Sequence, residues 1–60
     1  MKYKTGQTII LNDGCELQID YADDGHVDYT LWESDGQWEY EDDEVPESTI
    51  DAIIAHHNRR

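Results

Sequence analysis

Carboxylates are the side chains in this sequence best placed to do chemistry, and they are crowded. Glu39-Tyr40-Glu41-Asp42-Asp43-Glu44 puts five acids in six residues, with Glu47 close behind. Ca²⁺ takes about six to eight oxygens, but an acidic loop that holds it spaces its ligands around a glycine and closes on a glutamate. No D-x-[DN]-x-[DN]-G pattern occurs here. His56 and His57 are neighbours, so on a helix they point about 100° apart and cannot share one ion. Together with Cys15 and His26 they make a scattered set without the spacing of a zinc site. Asp, His and Ser are all present, yet no Ser stands beside a His and there is no Gly-rich nucleophile turn. The reading is of a protein that is not an enzyme, with no catalytic residue, no metal and no cofactor.

What remains is charge. The 60 residues hold 15 Asp or Glu against 4 Lys or Arg, a formal net charge of −11 at pH 7. Nucleic acid is held by clustered bases that displace counterions. Here the bases are Lys2, Lys4, Arg59 and Arg60, with none between Thr5 and Asn58. Direct binding to DNA or RNA is therefore excluded as an expectation, and a partner with a basic surface is favoured. A chain this short buries only about 60% of its unfolded surface, which argues for one acidic α+β domain over residues 1–60 and against a roomy catalytic cavity. The single Cys15 cannot close an intrachain disulfide, which fits a reducing cytoplasm, that of a host cell if the gene belongs to a phage. Thr8 to Leu11 is the sole mainly apolar run near the N-terminus, too short for a signal peptide or a membrane span.

The acids need a scaffold, and alternation supplies one. Cys15, Leu17, Ile19 and Tyr21 alternate with Glu16, Gln18 and Asp20. Val27, Tyr29 and Leu31 alternate with His26, Asp28, Thr30 and Trp32, and Trp38 and Tyr40 alternate with Gln37, Glu39 and Glu41. Asn12-Asp13-Gly14, Asp23-Asp24-Gly25 and Ser34-Asp35-Gly36 read as turns, short enough to force antiparallel neighbours. The pattern predicts a four-stranded antiparallel β-meander over about 7–11, 15–21, 26–33 and 37–41. Ile50, Ile53, Ile54 and His57 then recur at helical spacing. Ser48-Thr49-Ile50-Asp51 has the form of a capping box, and Pro46 both ends the fourth strand and blocks an earlier helix. One C-terminal α-helix is expected to pack on the face bearing Leu17, Ile19, Val27, Tyr29, Leu31 and Trp38.

The opposite face then carries Glu16, Gln18, Asp20, His26, Asp28, Thr30, Trp32, Gln37, Glu39 and Glu41. Carboxylates two apart on a strand lie about 6.7 Å from each other and neighbouring strands about 4.8 Å apart, so these acids form a lattice of negative charge. Solvated acids that keep a small sheet soluble are the plain explanation. A use outside the monomer is the other, since like charges on neighbouring strands cost stability. The run from Glu39 to Glu44 is either a solvated loop or an extension of the lattice along one sheet edge. Trp32 falls on the acidic side and reads as a binding anchor, with Ile10 as its apolar neighbour; a bulge turning it inward or a homodimer covering it is the alternative.

A compact acidic sheet without interior bases resembles the DNA-mimic inhibitors of phages and mobile elements. In size and balance it is most similar to the uracil-DNA glycosylase inhibitors. Glu47-Ser48 followed by Ile50 is similar to the Glu-Ser-Ile stretch that those inhibitors press into the enzyme's DNA groove. The resemblance implies a protein that blocks the DNA-binding cleft of a host DNA-processing enzyme, uracil-DNA glycosylase first. Asp28, Glu39, Glu41, Asp42, Asp43 and Glu44 would stand in for phosphates, joined by Glu47 and Ser48 at the partner surface, with Trp32 or a pocket near Ile50, Ile53, Ile54 and Leu31 adding apolar contact. An anti-CRISPR or anti-restriction protein shares this physics, and a small acidic interaction module is the remaining alternative.

Overall fold

The computed structural model describes residues 2–37 and 39–59. Four antiparallel strands lie in chain order as a single sheet: β1 Thr8–Ile10, β2 Glu16–Asp23, β3 His26–Trp32 and β4 Glu39–Pro46. A helix, α1 Glu47–His57, follows directly. This is the α+β meander with one C-terminal helix that the alternation predicts. The turns explain the order. Asp24 and Gly25 both have positive φ, 50° and 80°, the geometry of a two-residue type I′ hairpin, and they leave Asp23 and His26 as its closing pair. Gly14, at φ 90°, is needed twice over, because a Cβ there would also lie 3.2 Å from the Ser34 Cβ.

The inner face of the sheet carries Leu17, Ile19, Val27, Tyr29 and Leu31. They are buried with Tyr3, Leu11, Cys15 and Ile50, while Ile9, Ala22, Val45, Ile53 and Ile54 close the margin. Leu17, Ile19, Val27 and Ile50 are fully buried. The helical stripe thus does what its spacing predicts, and Ile50 is its anchor. Trp38, expected on the same face, lies outside the described residues. Tyr3 is a core member that alternation could not assign, because it precedes the first strand. Its ring packs inward and its hydroxyl donates to Asp51 on α1.

Three expectations are corrected. The helix starts at Glu47, with Pro46 as N-cap and no side-chain cap, so the Ser48–Asp51 capping box does not form. The Asp51 carboxylate is taken instead by the Tyr3 hydroxyl and by Lys2 Nζ at 2.9 Å. The fourth strand does not stop at residue 41 but runs on to Pro46, because acids on an edge strand keep their side chains in water while the backbone still pairs. Finally, Tyr21 does not share the face of Leu17 and Ile19. Ile19 pairs with Tyr29 and Tyr21 with Asp28, so Asp20 is an extra residue on β2, and beyond it Tyr21 turns outward while Ala22 turns in.

Candidate protein-binding face

Cross-strand partners share a face of a sheet, so the register assigns the outer surface row by row. Ile10, Glu16, Trp32 and Glu39 form one row, and Thr8, Gln18, Thr30 and Glu41 the next. Beyond the Asp20 bulge come Tyr21 with Asp28, then Asp23 with His26. The expected face is therefore real for Glu16, Gln18, Asp20, His26, Asp28, Thr30, Trp32, Glu39 and Glu41. Gln37 lies exposed in the loop before β4, outside the strands. No residue of the four strands is Lys or Arg. Among the described residues the ion pairs are Lys2–Asp51 and His57–Asp13, both away from this face.

The outer acids are held by neutral donors. Asp20 accepts the Thr30 hydroxyl at 2.6 Å and the Gln18 amide at 3.0 Å, which positions its carboxylate without cancelling its charge. Asp28 accepts the backbone N–H of Glu44 at 2.8 Å. That bond stabilises a second irregularity. Val27 pairs with Val45 and Tyr29 with Asp42, so Asp43 and Glu44 together oppose Asp28, and Glu44 sits at φ 52°. A non-glycine residue in the left-handed region costs roughly 1 kcal/mol or more, and a charge-assisted bond to Asp28 is of the size needed to offset it.

The acidic run is thus an edge strand, not a loop, but it is not a single-sided rod. Glu39 and Glu41 face outward. Asp42 pairs with Tyr29 on the inner side of the edge, where its charge, after burial and the neighbouring Tyr40, holds the Tyr29 hydroxyl above its usual pKa. Asp43 occupies the bulge, and its N–H is taken by the Asp42 carboxylate at 2.9 Å. Glu47 and Ser48 lie in the first turn of α1, and the Glu47 carboxylate accepts the Lys2 backbone N–H at 2.8 Å. The residues chosen from sequence therefore divide. Asp28, Trp32, Glu39, Glu41 and Glu44 converge on the outer side, whereas Asp42, Asp43, Glu47 and Ser48 do not share its plane.

The structure adds what the alternation hid. Tyr21, Asp23, Asp24, His26, Asp28 and Glu44 line an open depression of about 410 Å³ at the β2–β3 hairpin end. One aromatic ring among four carboxylates is a setting for a cationic side chain. The only sequence signal for it was the crowding of acids around Gly25, and the Asp20 bulge had to turn Tyr21 outward to complete it. Trp32 is 37% exposed and Ile10 is 65% exposed, at opposite ends of the row through Glu16. Ile50 is fully buried, so the helix–sheet seam near it is filled by the chain's own side chains, and the apolar pocket the resemblance implied there is not formed. At the other end of the molecule Asp13, Cys15 and His57, read as unconnected in sequence, come together.

No family model, curated protein or solved structure matches the chain. Among the described residues, no helix is long and apolar enough to cross a membrane.

Proposed function

We propose that the protein is a DNA mimic that occupies the nucleic-acid cleft of a host DNA-processing protein. One observation carries the reading: the outer face of the sheet, from Glu16 to Asp23 and from Asp28 across to Glu39, Glu41 and Glu44, presents carboxylates in strand register with no Lys or Arg in any strand. Two unit charges about 7 Å apart repel by about 0.6 kcal/mol in water before salt screens them. A 60-residue domain has only about 3–9 kcal/mol of stability in total, so acids placed this way burden the monomer and are best explained by a partner.

The carboxylates raise the encounter rate with a cationic groove and choose it over neutral surfaces. The depression beside Tyr21 receives a Lys or Arg of the groove. Trp32 and Ile10 supply the desolvated contact that slows release. Uracil-DNA glycosylase is the first target to test, on the similarity in size and charge balance. The protein should inhibit uracil excision competitively with DNA, and inhibition should weaken steeply as salt rises. A triple Asp28→Asn, Glu39→Gln, Glu41→Gln variant should lose it. Binding that is indifferent to salt and to this variant would end the mimicry reading. If DNA-competitive capture from bacterial lysate yields a nuclease or restriction enzyme instead, the mechanism stands with a different target. A second reading rests on the exposed Ile10 and Trp32: an ordinary interaction module, in which Trp32→Ala abolishes binding and the triple variant does not.

A further inference from the structure

The end of the molecule away from the hairpin depression gathers three kinds of metal-binding donor. Asp13 lies in the β1–β2 turn, Cys15 just before β2, and His57 is the last residue of α1; one ligand atom from each falls within 4.8 Å of the other two. Glu33, just after β3, brings a fourth, its Oε2 3.7 Å from Cys15 Sγ. We propose that Asp13, Cys15, His57 and Glu33 form a binding site for a borderline divalent transition ion of the zinc class. The proposal does not rest on DNA mimicry, since these residues lie outside the acidic outer face.

The geometry is close to what such an ion needs. Metal bonds of about 2.0–2.3 Å arranged tetrahedrally set donor atoms about 3.3–3.8 Å apart. The Sγ to Oε2 distance already falls in that interval. Asp13 Oδ2 and His57 Nδ1, now 2.6 Å apart in a hydrogen bond, have to separate by less than about 1 Å. The supporting contacts are those of a ligand shell. Asp13 Oδ1 is occupied by the Cys15 backbone N–H at 3.1 Å, which orients the carboxylate and leaves Oδ2 for the ion. The Asn12 N–H donates to Asn58 Oδ1 at 2.8 Å, tying the helix end that carries His57 to the turn that carries Asp13. The thiol forms the floor, with Cys15 only 3% exposed, while the side chains of Asp13 and His57 keep 18% and 17% exposure and leave a way in.

The donor set selects the ion. A sulfur with an imidazole and carboxylates suits zinc or cobalt and is poor for calcium or magnesium, which take oxygen alone. Binding replaces the thiol S–H bond by an S–metal bond and releases that proton to solvent. His57 binds through its Nδ1 lone pair, its proton moving to Nε2. The Ser34 backbone N–H, which favours the Cys15 thiolate, stays in place behind the sulfur.

The test uses the whole chain freed of metal with a chelator. Co²⁺ should give a thiolate-to-metal charge-transfer band at one ion per chain, and Zn²⁺ should abolish it by displacement. Cys15→Ser should remove the band, and His57→Gln should weaken Zn²⁺ binding at least about tenfold. Asp28→Asn/Glu39→Gln/Glu41→Gln, on the outer face, should change neither. Zn²⁺ should also raise the thermal midpoint of the unmodified chain and not that of His57→Gln. A wild-type chain without the band overturns the proposal. So does Zn²⁺ binding that is unaltered in His57→Gln and lost in the outer-face variant, which marks an adventitious ion only. Should Cys15→Ser fail to fold by circular dichroism, Glu33→Gln and His57→Gln decide by the same readouts.

Discussion

The two sides of the sheet treat their acids differently. On the helix side, Asp51 meets the Tyr3 hydroxyl and Lys2, Asp13 meets His57, and Glu47 accepts the Lys2 N–H. Each of these carboxylates helps to hold a segment that strand pairing does not: the N-terminal arm, the first helical turn, or the helix end. On the outer side, Asp20 and Asp28 are met by a hydroxyl, an amide and a backbone N–H, and among the described residues no Lys or Arg approaches them. An acid paired within its own chain is accounted for by the fold. An acid given only neutral donors is positioned but keeps its full charge toward solvent, and it is there that a function outside the monomer has room to act.

The sharpest way to break this contrast is through the anchor that both sides share. Ile50→Ala removes a fully buried side chain and should cost about 2–5 kcal/mol, enough to unfold much of the population; a denaturant midpoint close to the parent's would mean the helix is not what secures the inner face. Tyr3→Phe keeps the packed ring and deletes the bond to Asp51, for an expected loss of about 1–2 kcal/mol by thermal or urea unfolding. An unchanged midpoint would show that the arm is held by packing alone.

Acid titration separates the sides without changing core packing. The hydrogen bond with His57, then the Cys15 N–H, pulls the Asp13 carboxyl down to about 2 from an ordinary 3.8. A depressed carboxylate stabilises the fold above its unfolded pKa, and the contribution is lost as pH falls through about 2. Asp13→Asn should therefore have a lower urea midpoint than the parent at pH 6, and the two should converge toward pH 2. A gap that persists at the acid end would place the effect elsewhere. The smallest effect, and the most informative sign, belongs to the outer face. Glu39→Gln and Glu41→Gln should each shift stability by no more than about 0.5 kcal/mol and in the stabilising direction, because each removes a repulsion. Clear destabilisation by either would show that the outer carboxylates serve the fold after all.

Much of this was readable in the chain. The alternation around Leu17, Val27 and Leu31, the Asp-Gly turns and the stripe of Ile50, Ile53 and Ile54 report local geometry, and local geometry is what periodicity encodes. Tyr21 and the run from Asp42 to Glu44 were misread for one reason: an inserted residue reverses facing for everything after it, and no composition signal marks Asp20 or Asp43 as that residue. Tyr3 and Asp51 escaped because they are 48 positions apart and neither lies in an alternating segment facing the other.

The order of elements, the antiparallel pairing and a surface dominated by negative charge follow from the sequence alone, since strand period, turn chemistry and the absence of bases from Thr5 to Asn58 act over a few residues or on the sum of charge. Only the tertiary structure decided which acids stand together. Two bulges placed Tyr21 and Glu44 beside Asp28, and the return of the helix end to the first turn brought His57 to Asp13 and Cys15. Those are meetings of residues distant along the chain, set by how the sheet twists and where the helix packs, and no spacing within the sequence records them.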